Sequence, residues 1–398
     1  MTPIPLRPLA LALLLTCTAA AVAADDDARG AAAYERALQL IEKRDTQGAL
    51  IELKNAVQAA PEYLPAWLEL GKVYLDMGYG QLAEGAYERA SKLGADVSLT
   101  LLPRARSYLV QGKIEELLAL EAADALSPED QAALLVLQGN AQLEMGELDD
   151  ALARFRAAGK RDGKSAAPLW GAAVAKLRKG DLAGAQYQAD KAKTLAPELA
   201  ETWYVRADVA RQAGQRADAL ADFSRAIDIE PDHMPARLGR AALLMDDGKL
   251  DAAAVDLAAV REAQPDDLQA MHLQALLLAA QGEQAEADAV LDKARARLKE
   301  LPERVVAGNL PSLMLSALIA LKDDQPATAI EHLKRYLARV QHHLGANKLL
   351  AAAYLQNGQA GEARALLEAL MNEHPKDAAI VSLLGTTYAR AGDETLAG

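Results

Sequence analysis

A period of 34 residues runs through this sequence from residue 30 almost to its last residue. With Leu64 counted as position 1, a small residue recurs at position 8, glycine at position 15 and alanine at position 20. Position 20 is occupied by Ala49, Ala83, Leu117, Ala151, Ala185, Ala219, Ala253 and Ala287. Position 15 is occupied by Gly78, Gly112, Gly146, Gly180, Gly214, Gly248 and Gly282. Because one short helix pair cannot bury its apolar face alone, a period of this length predicts helix pairs that stack on their neighbours.

The spacing predicts eight in-phase units over residues 30–301, an insertion over 302–309 and units nine to eleven over 310–398, the last one incomplete. Each unit is expected to hold two helices, A and B, which approach closely through the small residues at positions 8 and 20. Glycine at position 15 predicts the end of helix A, because glycine adopts the left-handed conformation at little steric cost. The predicted fold is therefore all-α, an alpha-alpha superhelix of about eleven helix-turn-helix repeats.

Two stretches depart from the period. In the third unit Leu117 replaces the small residue at position 20, and we expect a weak helix B before Pro128, with altered packing or a local bend there. The insertion over 302–309 predicts a longer connection between two helices. This connection is either an idle loop or a hinge between the eight-unit block and the C-terminal units.

The composition excludes several classes of function. The chain carries 43 Lys and Arg against 56 Asp and Glu, and this net charge of −13 is unfavourable for binding nucleic acid. Its single cysteine excludes an internal disulfide and a cysteine-based zinc site. Phosphate-binding loops, nucleophile elbows and zinc-protease motifs are absent from the sequence, and its six histidines show no chelating pattern. We expect a protein that is not an enzyme and holds no metal or cofactor.

Residues 1–24 have the layout of a secretory signal peptide: Arg7, then an uncharged apolar run, then small residues and three aspartates. Cleavage after Ala21-Val22-Ala23 or after Ala24 predicts a free exported protein. The segment Leu14-Leu15-Thr16-Cys17 instead resembles a bacterial lipobox, in which Cys17 becomes the lipidated first residue. Residues 25–29 are expected to form a short acidic linker. Both alternatives predict export, to the periplasm or to the periplasmic face of the outer membrane. Only the second provides a membrane contact, through lipidated Cys17.

The best-formed unit contains Trp67-x-x-Leu70-Gly71-x-x-Tyr74, and its marker residues resemble the signature of the tetratricopeptide repeat (TPR). This resemblance implies a concave groove that binds protein partners and is lined by helices A at positions 2, 5, 9 and 12. The candidate groove residues are Tyr34, Lys72, Arg106, Asn140, Trp170, Tyr204, Asp208 and Arg211, and His272 occupies position 5 of the eighth unit. Most other groove positions are apolar, which favours an extended apolar peptide or a helix as ligand. Alternatively, these residues pack inside a tightly coiled superhelix.

The stretches at residues 49–56, 67–74 and 347–355, together with the lipobox-like segment, resemble the TPR-repeat lipoproteins associated with the PEP-CTERM/exosortase system. That resemblance implies a non-catalytic scaffold of the bacterial cell envelope in exopolysaccharide export or PEP-CTERM protein sorting. Thr16 and the early end of the chain depart from the family, and we expect a truncated product or a fragment of a longer array. Alternative functions are the accessory TPR region of a larger envelope polysaccharide synthase or transferase, and a general periplasmic peptide-binding adaptor.

Overall fold

The computed structural model describes residues 26–121, 126–301, 303–340, 343–375 and 377–391. The predicted signal peptide, the lipidation candidate Cys17 and the predicted incomplete helix B of the last unit lie outside these residues. Residues 26–29, from the expected acidic linker, are helical and continuous with helix A of the first repeat. Alanine and arginine favour helix there, and no proline or glycine interrupts it before Gly30.

The chain divides into two compact units, Met1–Ala213 and Gly214–Gly398. The described helices of the first unit are α1 (26–42), α2 (Thr46–Ala59), α3 (Leu64–Asp76), α4 (Gly80–Lys92), α5 (Val97–Gln111), α6 (Ile114–Leu118), α7 (Pro128–Met145), α8 (Leu148–Arg161), α9 (Ala167–Arg178), α10 (Leu182–Leu195) and α11 (Ala200–Gln212). Those of the second unit are α12 (Arg216–Ile229), α13 (Met234–Asp246), α14 (Leu250–Ala263), α15 (Leu268–Gln281), α16 (Gln284–Glu300), α17 (Glu303–Gly308), α18 (Leu310–Lys322), α19 (Pro326–Leu337), α20 (Leu344–Gln356), α21 (Ala360–Glu373) and α22 (Ala378–Ala391).

The helices follow the period of the sequence. Helices B begin at Thr46, Gly80, Ile114, Leu148, Leu182, Arg216, Leu250 and Gln284, each 34 residues after the last. The insertion contains the short helix α17, after which α18 and α19 resume the alternation of helices A and B. The predicted all-α repeat fold is confirmed.

Small residues bring helices A and B into close contact, as the sequence predicts. The alanines at position 20 from Ala49 to Ala253 are fully buried. A Cβ added to Gly71 at position 8 would lie 2.7 Å from the Tyr87 ring, and one added to Gly139 would lie 2.7 Å from the Phe155 ring. The same Phe155 ring also packs against Gly171 of the next repeat, where an added Cβ would overlap it. Each large ring therefore depends on glycines in the helices that it contacts.

The turn from helix A to helix B uses the left-handed conformation at position 15. The glycines there have φ between 69° and 81°. In the first and ninth repeats the same position is Arg44, with φ 60°, and Asp324, with φ 55°. An L-residue with a side chain adopts this conformation at a cost of about 1 kcal/mol. These two turns are therefore strained relative to the others.

A side-chain donor satisfies the carbonyl of the proline in the turn from helix B to the next helix A. Trp67 Nε1 donates to Pro61 O at 2.9 Å, and Trp203 Nε1 donates to Pro197 O at 2.8 Å. In the seventh repeat Arg237 Nε takes the same role, donating to Pro231 O at 2.7 Å. Position 4 thus links consecutive repeats by a hydrogen bond as well as by packing.

The third repeat has the short helix B expected from its sequence. Its helix α6 has five residues, whereas the other described helices B have 12 to 17. Gln138 of α7 is 1% exposed, and its Nε2 donates to Leu117 O at 3.1 Å and to Leu120 O at 2.8 Å. A side-chain amide therefore satisfies carbonyls that a longer helix would pair internally.

Within the described residues, every helix is too short or too polar to cross a bilayer.

We predict that Gly171→Ala lowers the free energy of unfolding by about 2 kcal/mol, because the added methyl group overlaps the buried Phe155 ring. Gly85→Ala is the matched control, since Gly85 lies on an exposed part of α4 with no atom within 4 Å of an added Cβ. This control is expected to gain about 0.5–1 kcal/mol from helix propensity. Urea unfolding followed by circular dichroism measures both. Similar gains from both substitutions would contradict the packing described, and Phe155→Leu is expected to reduce the penalty of Gly171→Ala.

We predict that Arg44→Gly raises the free energy of unfolding by about 0.5–1 kcal/mol, because glycine removes the left-handed strain at φ 60°. Arg44 is exposed, so little packing is lost. Gly78→Ala makes the opposite change at the corresponding turn of the second repeat, where φ is 75°. This substitution should destabilise the protein by a similar amount. Thermal and urea unfolding of the two variants must shift in opposite directions.

Candidate functional site

Helices A of the first unit form a row in which α3, α5, α7, α9 and α11 each contact the next. The candidate residues at position 9 lie on this row with different surroundings. Lys72 is exposed and its Nζ lies 3.1 Å from Glu69 Oε1, Arg106 is exposed, and Asn140 is half-buried. A face made of successive helices A therefore presents a cation, a second cation and an amide along consecutive repeats.

Tyr34 is largely engaged in packing. Its ring meets that of Tyr63 edge to face, with the centroids 5.5 Å apart. Burial raises the pKa of the Tyr34 hydroxyl, and the Glu69 carboxylate raises it further. Tyr34 therefore remains neutral at physiological pH and offers a hydroxyl at the edge of the first repeat.

Trp170 and Tyr204, at position 5 of consecutive repeats, are brought together. Both pack against an apolar cluster that includes Val205, and Trp170 Nε1 donates to the buried Thr202 Oγ1 at 3.2 Å. Burial raises the pKa of Tyr204 to about 12, and nearby Asp208 contributes to that rise. Both aromatic residues are half-buried, so each contributes to the core and still presents an edge on the helix A face.

Asp208 and Arg211 form an ion pair one turn further along α11. Arg211 Nε donates to Asp208 Oδ1 at 3.1 Å, and both side chains are about one third exposed. The structure thus joins Trp170, Tyr204, Asp208 and Arg211 into one surface across α9 and α11, which we call the aromatic–ionic patch. Aromatic edges beside a partly exposed ion pair can contact both the apolar and the polar groups of a protein partner.

His272 does not contribute to an open surface. It is 8% exposed, and its Nε2 has no hydrogen-bond partner among the described residues. Desolvation lowers its pKa to about 4, and the neighbouring His343 acts in the same direction. At this groove position of the eighth repeat, His272 is therefore a buried histidine that stays neutral at physiological pH.

A cavity of about 750 Å³ lies away from the predicted groove residues. It is bounded by two helices B, α8 and α10, with the outer side of α9 and residues 162–165 completing its wall. Leu152, Phe155 and Leu169 are among its apolar lining residues, and Arg156 and Lys191 are among its cations. We call this cavity the B-helix cleft. Trp170, at position 5 of the fifth repeat, does not line it.

Sequence reasoning missed this cleft, because it treated charge as an average over the chain. Residues 154–193 carry ten Lys and Arg but only three Asp, in a protein whose net charge is −13. A window of charge along the sequence would have located this basic segment. The shape of the B-helix cleft could not have been found in that way, because the volume of the cleft depends on how three helices pack.

No group of three His, Cys, Asp or Glu side chains with metal-binding geometry occurs in the part of the chain that the structure describes.

Two sequence models described as tetratricopeptide repeat match the chain, one over residues 210–277 and 320–386 and the other over 136–200. Together these segments span about half of the chain. No curated protein matches it.

Several solved structures are similar to this chain. The anaphase-promoting complex hetero-tetramer Cut9-Hcn1 aligns with a TM-score of 0.53 at 16% identity, over 94% of this chain and 80% of that one. A tetratricopeptide repeat protein from Parabacteroides merdae aligns with a TM-score of 0.42 at 20% identity, over 73% of this chain and 98% of that one. YrrB, described as a TPR protein with an unusual peptide-binding site, aligns with a TM-score of 0.33 at 26% identity, over 42% and 86% of the two chains. The first of these likenesses supports the fold alone.

We predict that His272→Leu reduces the loss of stability on acidification. Between pH 6.5 and about 4 the unfolded chain protonates His272 while the folded chain keeps it neutral, so the free energy of unfolding falls as the pH falls. The full effect is on the order of 3 kcal/mol. Urea unfolding of wild type and variant at pH 7, 6, 5 and 4.5 measures the slope. Parallel slopes for the two proteins would show that His272 is not buried in its neutral form.

Proposed function

Since this chain belongs to the tetratricopeptide-repeat family, we propose that it is a non-catalytic protein–protein interaction scaffold of the bacterial cell envelope. Its role is in exopolysaccharide export or PEP-CTERM protein sorting. The repeats support the interaction function, because stacked helix pairs present long surfaces on which a partner can bind. The pathway is supported by the resemblance of residues 49–56, 67–74 and 347–355 to envelope lipoproteins.

The aromatic–ionic patch carries the proposal at the level of residues. Tryptophan, tyrosine and arginine contribute most of the binding energy in many protein interfaces, because they combine large contact area with polar tips. Here Trp170 and Tyr204 are held by the core beneath them, and Arg211 is held by Asp208. A partner therefore meets side chains that are already ordered, which lowers the entropy lost on binding.

The location of the protein follows from its first 24 residues in this proposal. Export places the helix A faces in the periplasm, and a lipid on Cys17 would hold the chain at a membrane surface. Two acyl chains anchor a protein stably to a membrane, whereas one chain alone gives marginal binding. The form of the N-terminus therefore decides whether the scaffold diffuses or stays at the membrane.

We predict that the mature protein starts at Cys17 with a diacylglyceryl group, or at Ala24 or Asp25 without modification. Intact-mass spectrometry of protein purified from its bacterial source, after separation of periplasm and membranes, distinguishes these forms. The variant Cys17→Ser moves the first form out of the membrane fraction and leaves the second unchanged. A product that retains Met1 and remains in the cytoplasm would contradict the exported function.

We predict that Trp170→Ala and Tyr204→Ala each reduce recovery of envelope partners by about tenfold, because each removes an interface anchor. Cross-linking in cells, followed by affinity purification and quantitative mass spectrometry, measures the recovery. Ile51→Ala is the control, since Ile51 is 60% exposed on the helix B α2. Circular dichroism separates a lost contact from a lost fold. Recovery of the same proteins by folded Trp170→Ala and Tyr204→Ala variants would exclude the patch as the interface.

A further inference from the structure

The B-helix cleft has the size of a ligand site and a physical reason to be open. Its volume of about 750 Å³ lies within the 300–1,000 Å³ typical of binding pockets. Gly159, Gly163 and Ala172 line it and carry no side-chain atoms beyond Cβ. An added Cβ on Gly159 would meet only Pro168, at 3.9 Å, so the wall leaves space there. The cleft is therefore produced by small residues between two helices B that are separated by α9.

Its floor and its rim differ in chemistry. Phe155 is fully buried at the floor, while Leu195 is 40% exposed and Tyr187 is 60% exposed at the rim. The Lys191 Nζ lies 5.5 Å from the centre of the Tyr187 ring. An apolar floor with an exposed aromatic ring suits one apolar side chain of a ligand, inserted from solvent.

The rim has unmatched positive charge. Arg156 and Lys191 are both exposed, and neither makes an ion pair with any residue that the structure describes. The two lining carboxylates already have donors: Asp190 Oδ1 accepts from Arg206 Nε at 3.1 Å, and Asp162 Oδ1 accepts from Lys164 N at 2.9 Å. Lys176 is neutralised by Asp181, at 2.6 Å. The lining charges that have no partner of opposite charge among the described residues are Arg156, Lys191 and Asp162, because a backbone amide does not neutralise the Asp162 carboxylate. One net positive charge is therefore left for a ligand.

We propose that the B-helix cleft binds an acidic peptide segment of a protein partner, with one apolar side chain on its floor and carboxylates at Arg156 and Lys191. Complementary charge steers such a segment to the cleft, and the strongly acidic remainder of this chain repels it elsewhere. This inference rests on the proposed scaffold function, and it adds a second site on the opposite side of α9 from the aromatic–ionic patch.

The test uses fluorescence anisotropy of the purified full chain with three labelled pools of 12-residue peptides. The first pool alternates Asp or Glu with Leu or Phe. The second replaces every carboxylate by the corresponding amide, and the third keeps the carboxylates but replaces Leu and Phe by Ser. We expect at least tenfold tighter binding of the first pool than of either other pool, with an affinity that falls as salt is added.

Two variants place the binding in the cleft. Gly159→Trp fills the open space and is expected to abolish binding, whereas Gly85→Trp, on an equally open helix B surface, leaves it unchanged. Arg156→Glu combined with Lys191→Glu is expected to weaken binding at least tenfold. Arg261→Glu combined with Lys299→Glu makes the same change in net charge at exposed positions of the second unit, and is expected to have little effect.

Several outcomes would overturn the proposal. Two of these are equal binding of the amide pool and unchanged peptide binding by the cleft variants. A third is concentration-dependent dimerisation in sedimentation experiments that Gly159→Trp removes. That result would make a second copy of this chain the occupant of the cleft. Preferential binding of polygalacturonate, also lost in Gly159→Trp, would replace the peptide by an acidic polysaccharide. Envelope partners that depend on Trp170 and Tyr204, without any peptide binding, would refute the cleft alone and leave the scaffold function standing.

Discussion

The close approach of helices through small side chains is the constraint on which the rest of this structure depends. The alanines at position 20 are almost entirely buried, and the Tyr87, Phe155 and Phe223 rings each pack directly against a glycine of a neighbouring helix. The two phenylalanines of the chain show this relation: Phe155 packs against Gly171, and Phe223 packs against Gly239 of the following repeat. Ring and glycine occupy corresponding positions in both cases. The low aromatic content is thus a consequence of the spacing between helices.

Because each repeat is stabilised by its neighbours, local departures need local compensation. Gln138 compensates for the short helix α6 by hydrogen bonding to its carbonyls. In the second unit, Asp256 is fully buried but is held by Arg237 and Arg240, whose nitrogens lie 2.7–3.0 Å from its oxygens. A buried carboxylate without such partners would be strongly destabilising. These polar groups replace part of the apolar packing that the regular repeats use.

The fold was predictable from the sequence because one period encodes it many times. Glycine at position 15 predicts the left-handed turn between helices A and B. Arg44 and Asp324 adopt the same turn without a glycine, since the adjoining helices impose this conformation. The candidate site was less predictable. Position numbers place Trp170, Tyr204, Asp208 and Arg211 on the helix A face, yet the same rule selects His272, which is buried. Burial depends on residues from neighbouring helices, and the position of a residue within its own repeat carries no information about them.

The B-helix cleft shows a further limit of reasoning from averages. A net charge of −13 describes the chain as a whole, but binding depends on charge within a Debye length of about 8–10 Å. Around the cleft the local sign is reversed, since Arg156 and Lys191 have no acidic partner among the described residues, whereas the lining carboxylate Asp190 is paired with Arg206. Helix α9 therefore separates two surfaces of different chemistry, one aromatic and ion-paired, the other apolar and cationic. A scaffold with sites on opposite sides of one helix can hold two partners at once, because neither occupies the space or the charges that the other needs.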